Sequence, residues 1–135
     1  ARRKIQNCFF PNLVNVGVEQ FWRSNITELS NDNFQALQTI QERGFRESKI
    51  IFVNLSNLIS IDEEGFNDCK YLSSISAENL NQLGKQCFSK CPILTSIVCK
   101  LEANQLIEMA GPCNCEECPI CYNEVELCLK RGKFG

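Results

Sequence analysis

The C-terminal end of the sequence carries the side chains best suited to chemistry, because it concentrates cysteines. The sequence contains 10 cysteines in 135 residues, and five of them follow the pattern Cys113-x-Cys115-x-x-Cys118-x-x-Cys121 with Cys128 after it. Close Cys-x-x-Cys pairs place two thiolates in one tight turn, where they can bind a tetrahedral zinc ion. The alternative is a set of disulfides that close a small cap, which an extracellular setting favours. We predict a Cys-rich tail over residues 111–135, with zinc as its cofactor and Cys113, Cys115, Cys118 and Cys121 as the candidate ligands.

Two of these cysteines lie in a motif that resembles the start of a RING finger. The segment Glu117-Cys118-Pro119-Ile120-Cys121-Tyr122-Asn123-Glu124 is similar to the first zinc-ligand pair of that family, Cys-Pro-Ile-Cys followed by acidic residues. The resemblance implies that Cys118 and Cys121 bind the first zinc and that Ile120 contacts a ubiquitin-conjugating enzyme. A full finger needs further ligands, usually including a histidine, and the sequence has no histidine. We expect either a finger interrupted at the end of this sequence or a separate site made by the clustered cysteines.

Composition excludes several classes of function. The absence of histidine removes Ser/His and Cys/His catalytic pairs and the usual general acid–base near neutral pH. The formal net charge is −2, so the basic surface that binds nucleic acid is not expected. Apolar runs such as Ile50-Ile51-Phe52-Val53 are far shorter than the roughly 20 residues that cross a bilayer. We therefore predict no catalysis by this chain, no nucleic-acid partner and no membrane span.

Most of the remaining chain consists of repeats. The segments that begin at Ile5, Ile26, Ile50, Leu72 and Leu94 are 21, 24, 22 and 22 residues apart. Two later copies match position by position: Leu58, Ile61, Phe66, Cys69, Leu72 and Ile75 in one, and Leu80, Leu83, Phe88, Cys91, Leu94 and Ile97 in the next. The earlier copies keep the aromatic residue but have serine, Ser24 and Ser48, where the later copies have Cys69 and Cys91. A period of this length is typical of a solenoid.

Each copy predicts one strand and one return arc. Apolar residues nearly alternate in Ile50-x-x-Val53-x-Leu55 and Leu72-x-x-Ile75-x-Ala77, which indicates a short strand that ends in a bend. One copy buries too little apolar surface to offset the entropy cost of its own ordering, so neighbouring copies must stack. We predict short parallel strands about 4.8 Å apart, irregular or short helical arcs, and one buried column of Phe21, Phe45, Phe66 and Phe88.

The repeats resemble a known family. The segment Leu72-Ser-Ser-Ile75-Ser-Ala77-Glu-Asn-Leu80-Asn-Gln-Leu83-Gly84-Lys-Gln-Cys87-Phe88-Ser-Lys-Cys91 is similar to the BspA-like leucine-rich repeat. The resemblance implies a curved leucine-rich-repeat solenoid with a parallel sheet, used for protein recognition and often found on cell or pathogen surfaces. We predict about five coils over residues 1–110. The cysteines of this region, Cys8, Cys69, Cys87, Cys91 and Cys99, are interpreted as small buried apolar residues.

The strand residues between the buried positions are predicted to point outward and to form the partner-binding surface. The candidates are Phe9, Thr27, Glu28, Ile51, Phe52, Ser74, Ser76 and Ser96. An exposed Ile51–Phe52 pair among small polar residues suits a protein interface. The alternative is that the pair packs under an irregular arc and that the serines are plain solvated residues. Trp22, next to a predicted core aromatic, is expected to be a core or half-buried packing residue, and a binding hot spot is the alternative.

Three functions remain open at this point. The first is a protein-interaction module without catalysis of its own. The second is a fragment of a RING-type ubiquitin ligase whose repeats bind substrate while the finger recruits the ubiquitin-conjugating enzyme. The third is an extracellular adhesin-like surface domain with disulfides in its tail. The reduced-looking cysteines favour a cytoplasmic location, and the cell surface is the alternative.

Overall fold

The strands of the protein are all very short, and there are eight of them in the part of the chain that the structure describes. A computed structural model describes residues 9–102 and 105–106. The strands are β1 (Asn15–Val16), β2 (Glu28–Ser30), β3 (Thr39–Ile40), β4 (Phe52–Asn54), β5 (Ser60–Ile61), β6 (Ser74–Ala77), β7 (Gln82–Leu83) and β8 (Ser96–Cys99). Only residues 105 and 106 are helical among the described residues, and no described helix is long and apolar enough to cross a membrane.

The strands form two parallel sheets, and the chain visits them alternately. The first sheet has the order β1-β3-β5-β7 and the second has the order β2-β4-β6-β8. Strands pair in register, so that equivalent apolar residues of successive copies stack: Leu29, Val53, Ile75 and Ile97 in the second sheet. Each copy therefore makes one coil that adds a strand to both sheets, and the described residues form about four coils. The predicted leucine-rich-repeat solenoid is confirmed.

The described return arcs are irregular, which is one of the two predicted forms, and they are not the short helical segments that the prediction also allowed. Each arc holds a two-residue strand of the first sheet, followed by a series of tight turns. In the second coil the N–H groups of Arg43, Phe45 and Glu47 donate to carbonyl oxygens of the next coil at 3.0, 2.9 and 2.9 Å. Arg43 and Glu47 have positive φ angles, both 56°. With this left-handed backbone, the N–H groups of alternate residues point towards the next coil. The backbone hydrogen bonds of the arcs therefore join neighbouring coils instead of forming helices.

The four predicted aromatic residues form one buried column. Phe21 and Phe45 have ring centroids 5.3 Å apart, Phe45 and Phe66 5.5 Å, and Phe66 and Phe88 6.4 Å. The interplanar angles of 13°, 5° and 17° show that the rings are stacked. One aromatic per coil at the same position therefore builds the centre of the core, as predicted.

A fifth aromatic, Phe34, enters the core at a position that the repeat pattern did not identify. It is 0% exposed and its ring lies 6.2 Å from Phe21 and 6.4 Å from Phe45. The segment from β2 to β3 has three residues more than the segment from β4 to β5, and the segment from Phe45 to Ile50 is one residue shorter than its equivalent in the later copies, which together give the 24-residue spacing in this copy. The extra residues form a turn in which the side chain of Asn33 accepts from the Ser30 N–H at 2.8 Å and donates to the Glu28 carbonyl at 2.9 Å.

Polar side chains on the outside also form ladders between coils. The Arg43 guanidinium lies 2.8 Å from Glu64 in the next coil and 3.8 Å from Glu19 in the previous one, and the hydrogen bond and charge of Glu64 raise the pKa of Arg43. The side-chain amides of Asn57 and Asn79 donate to carbonyls of the preceding coil at 2.8 and 2.7 Å. Coil-to-coil contacts thus continue from the core to the surface.

Candidate functional site

The outer face of the second sheet brings most of the predicted partner-binding residues together. Its strands place Glu28, Phe52, Ser74 and Ser96 in one row, and Ser30, Asn54, Ser76 and Val98 in another. A further row runs through Thr27, Ile51, Ser73 and Thr95, whose backbones are joined by hydrogen bonds of 2.7, 2.8 and 3.1 Å. Seven of the predicted residues lie in these rows: Thr27, Glu28, Ile51, Phe52, Ser74, Ser76 and Ser96.

Ile51 and Phe52 form an apolar feature near the middle of this face, whose other members are polar except Val98 in the last coil. Ile51 is 47% exposed, and Phe52 is half-buried. Above them the rows contain Thr27 and Glu28, and below them they contain only serine and threonine. Short side chains beside a large apolar pair leave room for another molecule to approach the pair. Ile51 is therefore open to solvent in the described part of the chain, and no described arc covers it.

Phe9 lies apart from this pair. It belongs to the first coil and is 65% exposed. The backbone of its neighbour Phe10 is hydrogen-bonded to the next coil, because the Phe10 N–H donates to the carbonyl of Asn33 at 2.8 Å. Phe9 thus lies at the end of the described solenoid, beside the turn that follows β2, and does not extend the Ile51–Phe52 pair.

Two exposed apolar residues beside the face were missed by the sequence reasoning. Tyr71 is 55% exposed and Ile93 is 44% exposed. Tyr71 lies two residues before Ser73, and Ile93 lies two residues before Thr95. Ser73 and Thr95 belong to the row of Ile51, because the Ser73 N–H donates to the Ile51 carbonyl and the Thr95 N–H donates to the Ser73 carbonyl. The signal was present in the sequence, because the two later copies have one extra residue between the core phenylalanine and the next strand. The extra length bulges outward and carries a large apolar side chain in both copies.

A shallow surface groove runs beside Tyr71. Its lining consists of Glu47, Ser48, Lys49, Asp68, Lys70 and Tyr71, from two adjacent coils. Lys49 and Lys70 are exposed, and the Lys70 ammonium lies 3.0 Å from the Asp68 carboxylate. Tyr71 and Ile93 lie at the edge where the arcs enter the second sheet, and Ile51 lies two residues further into the sheet, in the row of Ser73 and Thr95.

Trp22 lies at the surface, so it is not the core packing residue that was one of the expectations. It is 43% exposed, and its indole N–H donates to the Glu47 carboxylate at 2.8 Å. The Arg23 guanidinium carbon lies 5.0 Å from the ring centroid and Arg23 also pairs with Glu47 at 3.6 Å. An indole has one polar N–H that must be satisfied when buried, and here it finds its partner at the surface of the next coil.

Three of the four described cysteines occupy the interior of the repeats, and the fourth, Cys99, is half-buried. Cys69, Cys87 and Cys91 are 0% exposed. The sulfurs of Cys69 and Cys91 lie 3.2 and 3.1 Å from carbonyl oxygens of the preceding coil, and burial raises the pKa of the Cys87 and Cys99 thiols. Within the described ranges no three His, Cys, Asp or Glu side chains are grouped to hold a metal. The predicted zinc ligands Cys113, Cys115, Cys118 and Cys121, and Ile120 and Cys8, lie outside the described residues.

Comparison with protein families identifies the repeats. The family model for the BspA type leucine rich repeat region matches residues 1–111 and finds six copies there. Searches of curated proteins and of solved structures gave no match.

Proposed function

The chain belongs to the BspA-type leucine-rich repeat family, and from this premise we propose that its solenoid is a protein-interaction scaffold that binds a partner on the outer face of the second sheet. The observation that carries the proposal is the exposure of Ile51 beside Phe52 on a face of small polar residues. Neither side chain belongs to the stacked core column, so the pair is free to serve recognition.

The geometry of the face suits a protein surface. Interfaces are centred on a few large apolar or aromatic residues that become desolvated, surrounded by polar residues that exclude water. The Ile51–Phe52 pair provides the large residues, and the neighbouring rows provide serine and threonine hydroxyls. Single exposed apolar residues are common and need no explanation. Here Tyr71 and Ile93 add two further exposed apolar side chains at the adjacent edge of the sheet.

Photo-crosslinking from this face tests the proposal. A photoreactive phenylalanine analogue at position 52 should crosslink to a partner in an extract of the source cells, whereas the same analogue at position 59 should not. Ile59 is the matched control, because it is also an exposed isoleucine, 38% exposed, but it lies next to the first sheet.

Binding of the purified partner then provides the quantitative readout. The double variant Ile51→Ser/Phe52→Ser should weaken the dissociation constant about tenfold or more, the amount expected from losing central interface residues. The variant Ile59→Ser should leave the dissociation constant within about twofold of the wild-type value. Equal effects at the two sites, or none at either, would reject this face as the binding surface.

The Cys-Pro-Ile-Cys segment supports a second candidate, a ubiquitin-ligase fragment with zinc bound in the tail. On this proposal Cys118 and Cys121 hold zinc and Ile120 contacts the ubiquitin-conjugating enzyme, while the repeats bind substrate. Native mass spectrometry with and without a chelator tests it: the wild type should lose one zinc on chelation, and Cys118→Ser/Cys121→Ser should bind none. Cys99→Ser, in the repeats, is the control and should keep the metal. Oxidised thiols without zinc would instead favour a disulfide-closed adhesin at the cell surface over a cytoplasmic protein.

A further inference from the structure

Two buried cysteines occupy the same position in consecutive coils, and the proposed binding face does not use them. Cys69 lies in the third coil, between β5 and β6, and Cys91 lies in the fourth, between β7 and β8. Both residues are thiols in the structure and are 0% exposed. We propose that Cys69 and Cys91 are a site of reversible oxidation, at which a peroxide joins the two thiols in a disulfide between the coils. Because the site is in the core, the inference is independent of the proposed function.

The backbone register places the two residues next to each other along the stack. They are 22 residues apart in the sequence, and the Asp68 N–H donates to the Ser89 carbonyl at 2.9 Å. In a parallel arrangement this bond aligns Cys69 with Cys91. Residues aligned on neighbouring coils are about 4.8 Å apart, which falls within the range of roughly 4.4–6.8 Å between Cα atoms that a disulfide spans.

The two side chains also have the same surroundings, so they point in the same direction. The Cys69 thiol donates to the Phe45 carbonyl of the preceding coil at 3.2 Å. The Cys91 thiol likewise donates to the Phe66 carbonyl at 3.1 Å. Ser48 has this position in the second coil, and its hydroxyl lies 3.5 Å from the Cys69 sulfur. The position therefore forms a column in which the side chain of one coil contacts that of the next, and Cys69 and Cys91 are hydrogen-bonded to each other.

Cys69 is the thiol expected to react first. Burial is the largest single effect and disfavours its thiolate, but the hydrogen bonds of Cys91 and Ser48 together outweigh burial, so that the pKa of Cys69 is lowered. Burial instead raises the pKa of the Cys87 and Cys99 thiols. The thiolate is the form that attacks a peroxide, so Cys69 is the nucleophile and Cys91 the second thiol.

The reaction needs only these two thiols and a peroxide. The Cys69 sulfur attacks one oxygen of hydrogen peroxide, which breaks the O–O bond and gives a sulfenic acid and one water molecule. The Cys91 sulfur then attacks the oxidised sulfur, the S–O bond breaks, and the hydroxyl leaves with the Cys91 proton as a second water molecule. Two thiols are thus oxidised to one disulfide while one hydrogen peroxide is reduced to two water molecules.

The stacked geometry makes the disulfide reducible and its formation slow. Side chains in register are about 4.8 Å apart at Cβ, slightly beyond the roughly 3.5–4.5 Å of a relaxed disulfide. A strained disulfide is reduced by thiols more easily than a relaxed structural one. Peroxide reaches the buried pair when neighbouring coils part transiently, which a solenoid allows because each coil contacts only its neighbours.

Peptide mapping of the full chain tests the inference. The folded, reduced protein is treated with hydrogen peroxide, the peroxide is removed, and the remaining thiols are alkylated in urea before digestion with trypsin. Cleavage after lysine places Cys69, Cys87 and Cys91 in three different peptides, and fragmentation separates Cys91 from Cys99. Cys87 is the internal control, because it is equally buried but has Gly65 at the same position of the preceding coil. The same oxidation in urea shows how the cysteines pair without the fold.

Variants at this position are expected to fold, because the first and second coils already have serine there, Ser24 and Ser48. Cys69→Ser and Cys91→Ser should each abolish the link. Ser48→Cys combined with Cys91→Ser should move the link one coil along the stack, to positions 48 and 69, since the Ser48 hydroxyl already contacts the Cys69 sulfur. Circular dichroism and the melting temperature of each variant verify that it is folded.

In the folded wild type, the peptides of Cys69 and Cys91 should be joined with the loss of two hydrogen atoms. Their share of all linked peptides should exceed the share found in urea several-fold. The link should raise the melting temperature, dithiothreitol should reverse both changes, and Cys69→Ser should not show this rise. Recovery of both cysteines as alkylated thiols would overturn the inference. A link from either of them to any other cysteine as the main product, or equal shares in the folded chain and in urea, would overturn it as well.

Discussion

The stacked phenylalanine column should dominate the stability of the solenoid, and Phe66 is the residue that tests this most directly. Its ring lies 5.5 Å from Phe45 and 6.4 Å from Phe88, and the residue is 0% exposed. Truncation by Phe66→Ala removes a fully buried ring from between two others, so we expect the free energy of unfolding to fall by about 3–5 kcal/mol. Phe9→Ala is the matched control: Phe9 is 65% exposed, and its loss should change the free energy of unfolding by less than about 0.5 kcal/mol. Urea unfolding followed by circular dichroism gives both values.

A double-mutant cycle shows whether the rings act as stacked neighbours. Phe45→Leu and Phe66→Leu affect rings in direct contact, so their combined effect should differ from the sum by about 0.5–1.5 kcal/mol. Phe21→Leu and Phe88→Leu affect rings at opposite ends of the column and should be additive within about 0.5 kcal/mol. Additivity for the adjacent pair, or a loss below about 1 kcal/mol for Phe66→Ala, would refute the stacked-column account of the core.

Three further predictions address the turns and the buried thiols. Gly65→Ala should lower the free energy of unfolding by about 1–3 kcal/mol in urea titrations, because the new Cβ would clash with the Cγ2 atom of Ile61. Gly17→Ala is the control and should be tolerated, because the nearest atom to a Cβ at that position is 3.5 Å away. Gln86 has a φ of 55°, a left-handed conformation that is free of steric cost for glycine and costly for side chains branched at Cβ. Gln86→Gly should therefore raise the melting temperature and Gln86→Val should lower it. The reverse order would contradict the turn geometry. Burial raises the pKa of Cys87, so the unfolded thiol loses its proton first as the pH rises above about 8.5. The free energy of unfolding should then fall by up to about 1.4 kcal/mol per pH unit, and in Cys87→Ala this part of the slope should disappear.

The solenoid and its core column could be predicted because both follow from a period in the sequence. Apolar residues at equal intervals must lie above one another once the coils stack in register, and the positions of Leu29, Val53, Ile75 and Ile97 in one row show this. Phe34 escaped the prediction because three extra residues between β2 and β3 shift it out of the period. These extra residues form the turn that the Asn33 side chain stabilises, so that the strand after the turn still pairs in register with the neighbouring coils.

The first sheet and the arcs could not be predicted in the same way. Strands of two residues, such as Asn15–Val16, are too short to show an alternation of polar and apolar residues. The left-handed turn positions carry residues such as Glu19, Arg43 and Asp68 instead of glycine, so no local signal marks them. Hydrogen bonds to the neighbouring coil hold these conformations, and such bonds exist only after the coils have stacked.

The candidate binding surface shows the same division between sequence and structure. The outward rows of the second sheet, with Ile51 and Phe52, follow from strand alternation and could be read from the sequence. Tyr71 and Ile93 became part of the surface only through tertiary structure, because the parallel register brings residues 22 positions apart next to each other at one edge. Periodicity therefore determined which side chains are buried. The stacking of coils decided which exposed side chains share a surface, since that depends on contacts between copies and not on the residues within any one of them.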